Sequence, residues 1–473
     1  MSNVVDKKIF ELRKKYTQER KALQFSFRKF VSANLHIKRS DVFTHNIHSY
    51  PGRLFPYIPI FFLSSDKFCP PNGKVLDPFA GSGTVLLEAI VNPYYKRDVY
   101  GIEINPIGRL ISKVKTTPIS PAKLKKKIDS LFKRFDAAMN DNNFRISVPD
   151  FKNIDLWFSK KAKTDLGKLR ACVEQLKDDD CKDFLWVCFS KLVREVSKAD
   201  PYIPPPVLLK IEKYKDSYRY KKLKALAKRN KNPDINAIFK NIVDDNFCRI
   251  NRIWDLNDVR EGKISAKIVN EDSRNIKRGK YLFKGIINSK GARKLDESIS
   301  LIITSPPYLS AQKYVRSTKL ELYWLGMTTE SELSKLNRKT IGTESVSLKD
   351  ANLELGIASI DLQLRKIKCL SSERAHIAFE YFKNMQDVFE QCHKALKKNC
   401  YMVLVVGNNQ VSNLKINTSS LLSELASKVG FKEVLILRDE IKGRGMITKR
   451  HGTGGLIKDE YIIILKKQQK RQG

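Results

Sequence analysis

The chain lacks any apolar run approaching the roughly 18–20 residues that cross a bilayer. Its longest candidate, Phe55 to Leu63, is short and interrupted by Pro56 and Pro59. The opening residues, MSNVVDKKIFELRKKYTQ, have no apolar core of the kind a secretory signal carries. The eight cysteines stand at 69, 172, 181, 188, 248, 369, 392 and 400, and no two make a Cys-x-x-Cys pair. Six histidines are equally scattered. A zinc knuckle and a disulfide framework are therefore not expected. The expectation is a reduced, cytoplasmic protein with no metal and no membrane. Acidic residues are also scarce, 51 against 89 Lys and Arg, which leaves a net charge of +38.

What is present is enough to fold. Hydrophobic residues make up 42% of the 473, and aromatics 10%. That supports a sizeable core, arranged as two to four domains or as one core with large insertions. The positive surplus suits a polyanion, a phosphate backbone above all. A lysine-rich background with a merely solvated surface would give the same number.

Along the chain, residues 5 to about 33 place Ile9, Leu12, Tyr16, Leu23, Phe27 and Phe30 at helical spacing among many Lys and Arg. This predicts one or two basic amphipathic helices. Strands are expected at Lys74–Asp77 and Val99–Ile104. A basic helical stretch then runs from about 119 to 255, holding the buried-looking FLWVCFSKLVREVS and a break at Pro204-Pro205-Pro206. Within it, 210–231 carries ten Lys or Arg with Tyr214, Tyr218 and Tyr220 interleaved. That run is either a solvated basic helix or a phosphate-tracking surface. Strands resume at 267–272 and 301–304. After a second interruption they follow at 401–406, 434–437 and 461–465. Seven strands with intervening helices predict a doubly wound, largely parallel sheet.

One turn in this pattern has a ligand-site character. Lys74-Val75-Leu76-Asp77-Pro78-Phe79-Ala80-Gly81-Ser82-Gly83-Thr84 reads as strand, glycine turn and helix start. Gly81 and Gly83 let a ligand approach the backbone. The third glycine of a dinucleotide fingerprint is replaced by Leu86, and Asp77 at the strand end would repel a pyrophosphate. S-adenosylmethionine carries an ammonium group and no phosphate, and it suits this turn. Glu103, at the end of the next strand, is 20 residues beyond Gly83, where a carboxylate can accept both ribose hydroxyls.

A second turn follows Leu301-Ile302-Ile303-Thr304, where the strand runs straight into Ser305-Pro306-Pro307-Tyr308. The prolines remove donors and leave an acceptor-rich loop of backbone carbonyls and the Ser305 hydroxyl, beside an aromatic face. Such a loop can hold both hydrogens of an exocyclic base amine and aim its weakly nucleophilic nitrogen, which is catalysis by positioning. Tyr308 can stack on a base taken out of the helix. A rigid Pro-Pro turn without function is the alternative for this loop alone.

The pair DPFAGSGT and TSPPY resembles the amino-group DNA methyltransferases, in particular those acting on the N4 amine of cytosine. The resemblance covers about 40–118 and 260–467. It implies a seven-stranded Rossmann-like, S-adenosylmethionine-dependent methyltransferase sheet with a large helical insertion. His48, Tyr50 and Pro51 look like the family's segment that closes over the methionine end of the cofactor. Phe79, Gly81 and Gly83, with Asp77, Ser82 and Thr84, match its glycine loop. Glu103 matches the ribose acid, Ile104 would pack on the adenine, and Asp272 would reach the adenine amine. Thr304 flanks the cofactor, and Ser305, Pro306, Pro307 and Tyr308 form the catalytic loop. Tyr314, Arg316 and 320–326 resemble the helix after it, and 405–408 the tip of the fifth strand. The glycine loop precedes the catalytic loop here, whereas many members with Ser-Pro-Pro have the opposite order.

The expected organisation is a basic helical segment at 1–40, a cofactor-binding half at 41–118 and a helical insertion at 119–258 with a DNA-recognition role. A catalytic half at 259–467 with an insertion at about 326–375 follows, then a basic tail at 468–473. The expected partners are double-stranded DNA and a separate cognate restriction endonuclease. Adenine-N6 methylation, RNA base methylation and a non-catalytic DNA-binding scaffold remain open alternatives. Ring-carbon methylation of cytosine is disfavoured, because its nucleophilic cysteine sits in a Pro-Cys dipeptide that is absent here.

Overall fold

The computed structural model describes residues 2–38, 42–278, 297–309, 314–345, 352–441 and 458–468. The tail expected at 468–473 lies outside these residues, apart from Gln468.

The strands are β1 (Leu23–Gln24), β2 (Val75–Asp77), β3 (Val99–Ile102), β4 (Ala266–Asn270), β5 (Ile299–Thr304), β6 (Leu396–Gly407), β7 (Asn409–Val411), β8 (Leu414–Ile416), β9 (Phe431–Glu440) and β10 (Asp459–Lys467). Eight of them form one sheet in the order β1-β9-β10-β6-β5-β2-β3-β4, and β7 and β8 make a separate pair. Every neighbouring pair in the large sheet is parallel except the two that involve β10. Among the described residues the sheet has eight strands, which corrects the expected seven. The seven expected strands are all present, and β1 is the addition. It has only two residues, too few for a period-2 signal, and it reads from sequence as part of a helix. Ser26 then caps the helix Phe27–Asn34.

The sheet strands read as continuous apolar runs because both faces are covered. In β5, Leu301 and Ile303 belong to one buried cluster and Ile302 to the other. In β6, Val403 and Val405 face one way, while Met402, Leu404 and Val406 face the other. The second face is closed by the helices Ala358–Leu370, Ser372–Ala395 and Thr418–Val429. The first is closed by the helices Tyr57–Leu63, Thr84–Val91 and Pro106–Thr116.

The helical insertion continues that first core rather than standing apart from it. Its long helices, Pro121–Asn140, Lys160–Glu174, Asp180–Val196 and Ile235–Trp254, contribute buried Leu131, Leu166, Phe184, Phe189 and Phe239 to the same cluster. Trp324, fully buried in the helix Lys319–Trp324 after the Ser-Pro-Pro-Tyr loop, meets Phe158 and Phe189 of the insertion edge to face, with centroids 5.5 and 6.2 Å apart. The basic run at 210–231 is a short 3-10 turn, Ile211–Tyr214, followed by the helix Tyr220–Arg229, which buries only Leu223.

Candidate active site

Reading outward from the centre, the chain leaves β2 for β3 and β4 on one side, and β5 for β6 on the other. The boundary between β2 and β5 is therefore the topological switch point, where a crevice opens beyond the carboxyl ends of the strands. The two sequence motifs lie here, because Asp77 ends β2 and Thr304 ends β5. They are joined directly: Thr304 Oγ1 donates to Asp77 Oδ1 at 2.7 Å, with both side chains buried. The same oxygen accepts the Phe79 N–H at 3.0 Å. Burial pushes the Asp77 carboxyl up to about 7, and these two donors only partly offset it.

The glycine turn is shaped by backbone that only glycine adopts easily. Gly81 and Gly83 have φ of +54° and +76°, and Gly83 caps the helix Thr84–Val91. Gly108, in the helix Pro106–Thr116, permits that helix to approach. A Cβ there would stand 2.9 Å from Glu103 Cγ and 3.0 Å from the Gly81 carbonyl. Glu103 is held from both sides, with Oε2 accepting the Gly81 N–H and Oε1 the Asn105 N–H, each at 2.8 Å. Glu103 also lines a cleft of about 630 Å³, counting the solvent at its mouth.

That cleft brings together Tyr50, Pro51, Phe79, Gly81, Glu103, Ile104, Asp272, Ser305, Pro307 and Tyr314 of the expected residues. Asp77, Ser82, Gly83, Thr84 and Thr304 lie behind its wall, and Pro306 and Tyr308 also fall outside the lining. His48 is fully buried away from the cleft. Burial, with Lys191, Lys115 and Arg194 nearby, takes its imidazole down to about 3 and keeps it neutral. Asp272 is gripped by its neighbour, as Arg274 Nε donates to Oδ1 at 2.9 Å and Nη2 to Oδ2 at 2.7 Å.

The cleft also contains residues that sequence reasoning did not select, namely Gly52, Ile102, Glu271, Lys339, Thr340 and Ile341, and two that lie inside the expected segments, Pro78 and Ser273. Ser273 Oγ donates to the Pro78 carbonyl and ties the end of β4 to the glycine turn. Glu271 pairs with Arg109 at 3.1 Å. Lys339 to Ile341 come from the second interruption, where no motif marked them. Asn105, buried outside the lining, was not selected either. Its Nδ2 donates to Tyr50 Oη at 3.2 Å and to Thr318 Oγ1 at 3.0 Å, linking the Tyr50 arm to the start of the helix Lys319–Trp324. Its position two residues after Glu103, before Pro106, carries a helix-cap signal.

S-adenosylmethionine fits this donor set. Glu103 offers an anchored carboxylate for a hydroxyl pair, Ile102 and Ile104 offer apolar contact, and Asp272 offers an acceptor. The buried Ser82 Oγ and Thr84 Oγ1 of the glycine turn have no hydrogen-bond partner among the described residues. Among the described residues no cluster of His, Cys, Asp and Glu is arranged to hold a metal ion, and no helix is long and apolar enough to cross a membrane.

Fold and cleft define a class, a doubly wound α/β protein with a ligand crevice at its switch point. Sequence comparison is more particular. The chain is 26% identical over 452 residues to the Type II methyltransferase M.MvaI of Kocuria varians, covering 89% of this chain and 91% of that protein. It is 26% identical over 172 residues to the Type II methyltransferase M.AvaI of Nostoc sp. PCC 7120, covering 33% of this chain and 35% of that one. It is also 26% identical over 163 residues to the Type II methyltransferase M.MjaII of Methanocaldococcus jannaschii, covering 33% and 29%. No family model matches the chain.

Proposed function

We propose that the protein is an S-adenosylmethionine-dependent DNA methyltransferase acting on the exocyclic N4 amine of a flipped-out cytosine within a specific sequence. We assign it to a restriction-modification system, with a separate endonuclease as cognate partner. The observation that carries this reading is the Thr304–Asp77 bond. It joins the glycine turn to the Ser-Pro-Pro-Tyr loop, so that Gly81, Glu103, Ser305 and Pro307 open on one cleft. The similarity to M.MvaI along nearly the whole chain supports the same reading.

When bound, S-adenosylmethionine supplies an electrophilic methyl group. The chain supplies position. Glu103 takes the ribose hydroxyls, and the Tyr50–Pro51 arm covers the other end of the cleft. Ser305 and the Pro306 carbonyl accept the two amine hydrogens, which aims the nitrogen lone pair in line with the methyl group. Tyr308 stacks on the extruded base and offsets part of the cost of unstacking it. Serine at 305 favours cytosine, since adenine enzymes of the resembled family more often carry Asp or Asn there.

Ser305→Ala and Tyr308→Ala should each cut transfer of labelled methyl groups to DNA by at least about 100-fold. Cofactor affinity, measured by calorimetry, should be largely retained. Near-wild-type turnover in both variants would overturn the assignment.

A further inference from the structure

Positioning alone leaves one proton without a destination. An amine that gains a methyl group must lose a hydrogen, and neither Ser305 nor the Pro306 carbonyl is a base near neutral pH. A carboxylate stands close by. Glu460, near the start of β10, lies opposite Gly407 of β6 and Asp439 of β9. The Tyr308 hydroxyl is 3.5 Å from Glu460 Oε1. Ser305, three residues back in the same loop, acts on that hydroxyl and pulls its pKa down against the larger effect of burial.

Glu460 is half-buried and lines a second cleft, of about 1390 Å³ counting the solvent at its mouth, which shares no lining residue with the first. The groups facing it are Tyr308 from the loop, Asp439 and Glu440 from the end of β9, and Arg28, Lys29 and Arg53 across the cleft. Asp459 precedes it on its own strand. Burial first, and Asp439 second, push its carboxyl up to about 7, while the Tyr308 hydroxyl pulls the other way. Tyr308 itself is held well above its ordinary value by burial and by Glu460, so it stays a neutral hydroxyl that can pass a proton without losing one.

We propose that Ser305, Tyr308 and Glu460 form a hydrogen-bonded relay that takes the amine proton from the target base to the second cleft, with Glu460 as the acceptor. The inference rests on the reading of the chain as an amine methyltransferase. Atoms and electrons balance in the step. The nitrogen pair forms the N–CH3 bond, and the S–CH3 bond breaks with its pair left on sulfur as a neutral thioether. The amine N–H proton moves to Ser305 Oγ as Ser305 hands its own to Tyr308, and Tyr308 hands its own to the Glu460 carboxylate. Glu460 then releases the proton to water in the second cleft.

The test compares Glu460→Gln, which keeps the shape, and Tyr308→Phe, which keeps the stacking ring, with the wild type in single-turnover transfer to DNA from pH 5.5 to 9. The wild-type rate should rise as Glu460 ionises near pH 7 and then level off. Each variant should lose that rise and run about 100-fold slower on the plateau. The double variant should be no slower than either single one, and DNA and cofactor affinities should be unchanged. In the protein without ligands, the protonated-carboxyl infrared absorption that titrates near pH 7 should lose one carboxyl's share in Glu460→Gln, the buried Asp77 keeping its own. A Glu460→Gln enzyme with wild-type rate and pH profile would overturn the relay and leave the methyltransferase reading standing. A drop in affinity large enough to account for the slower rate would overturn it as well. No transfer by the wild type to any DNA would overturn both.

Discussion

At the scale of single residues, the buried carboxylates carry the account. Thr304→Val would remove the Asp77–Thr304 bond and leave a buried acceptor short of a partner. It should cost about 1–3 kcal/mol in denaturant unfolding, and it should slow methyl transfer more than it weakens cofactor binding. Glu88 offers a second test. It lies in the fully buried helix Thr84–Val91, and its Oε1 is 2.6 Å from His45 Nε2. Burial raises Glu88 to about 8, Lys115 offsetting part of this, and holds His45 well below its ordinary value. The pair is therefore a protonated carboxyl donating to a neutral imidazole. A carboxyl whose folded pKa is raised binds more protons folded than unfolded, so its contribution is largest at low pH and falls as pH rises toward 8. Glu88→Gln should remove this fall, by at most about 1.4 kcal/mol per pH unit. Unfolding measured from pH 5 to 8 in both proteins checks it, and parallel curves would contradict it.

At the scale of elements, Gly108 and Trp324 decide whether the parts meet. Gly108→Ala would drive a methyl group against Glu103 and the Gly81 carbonyl. Cofactor affinity should fall by at least about tenfold with the fold retained, because the neighbour at 3.0 Å is backbone. Trp324→Ala should cost about 3–5 kcal/mol and loosen the helix Lys319–Trp324 from the insertion. The strands of the sheet were legible in sequence because each is a short apolar run bounded by turn residues. The two loops were legible because glycines and prolines mark backbone geometry directly. β1 was not, since two residues carry no period. Lys339 to Ile341 were not, because their place in the cleft comes from long-range packing that no local pattern encodes. His48 matched a motif, yet its ring turned inward, since spacing fixes a position along the chain and not the face it presents.

At the scale of the whole molecule, the +38 charge belongs to a body in which the insertion and the N-terminal segment share the core of the eight-stranded sheet. The helix Tyr220–Arg229 buries only Leu223 and leaves Lys221, Lys222, Lys224 and Lys228 exposed. Changing these four to alanine should flatten the dependence of log affinity for DNA on log salt, by about 0.9 for each phosphate that is no longer neutralised. An unchanged slope would make the run a solvated surface. The insertion supplies much of the first core, so its removal should leave an insoluble or unfolded chain rather than an active minimal enzyme.

The most direct test of the central claim is to express the protein in a host lacking amine methylation and to sequence the host DNA by a method that separates N4-methylcytosine from N6-methyladenine. The account predicts N4-methylcytosine at one recurring sequence, absent when Ser305→Ala is expressed instead. DNA without any modified amine, from cells containing folded wild-type protein, would contradict it.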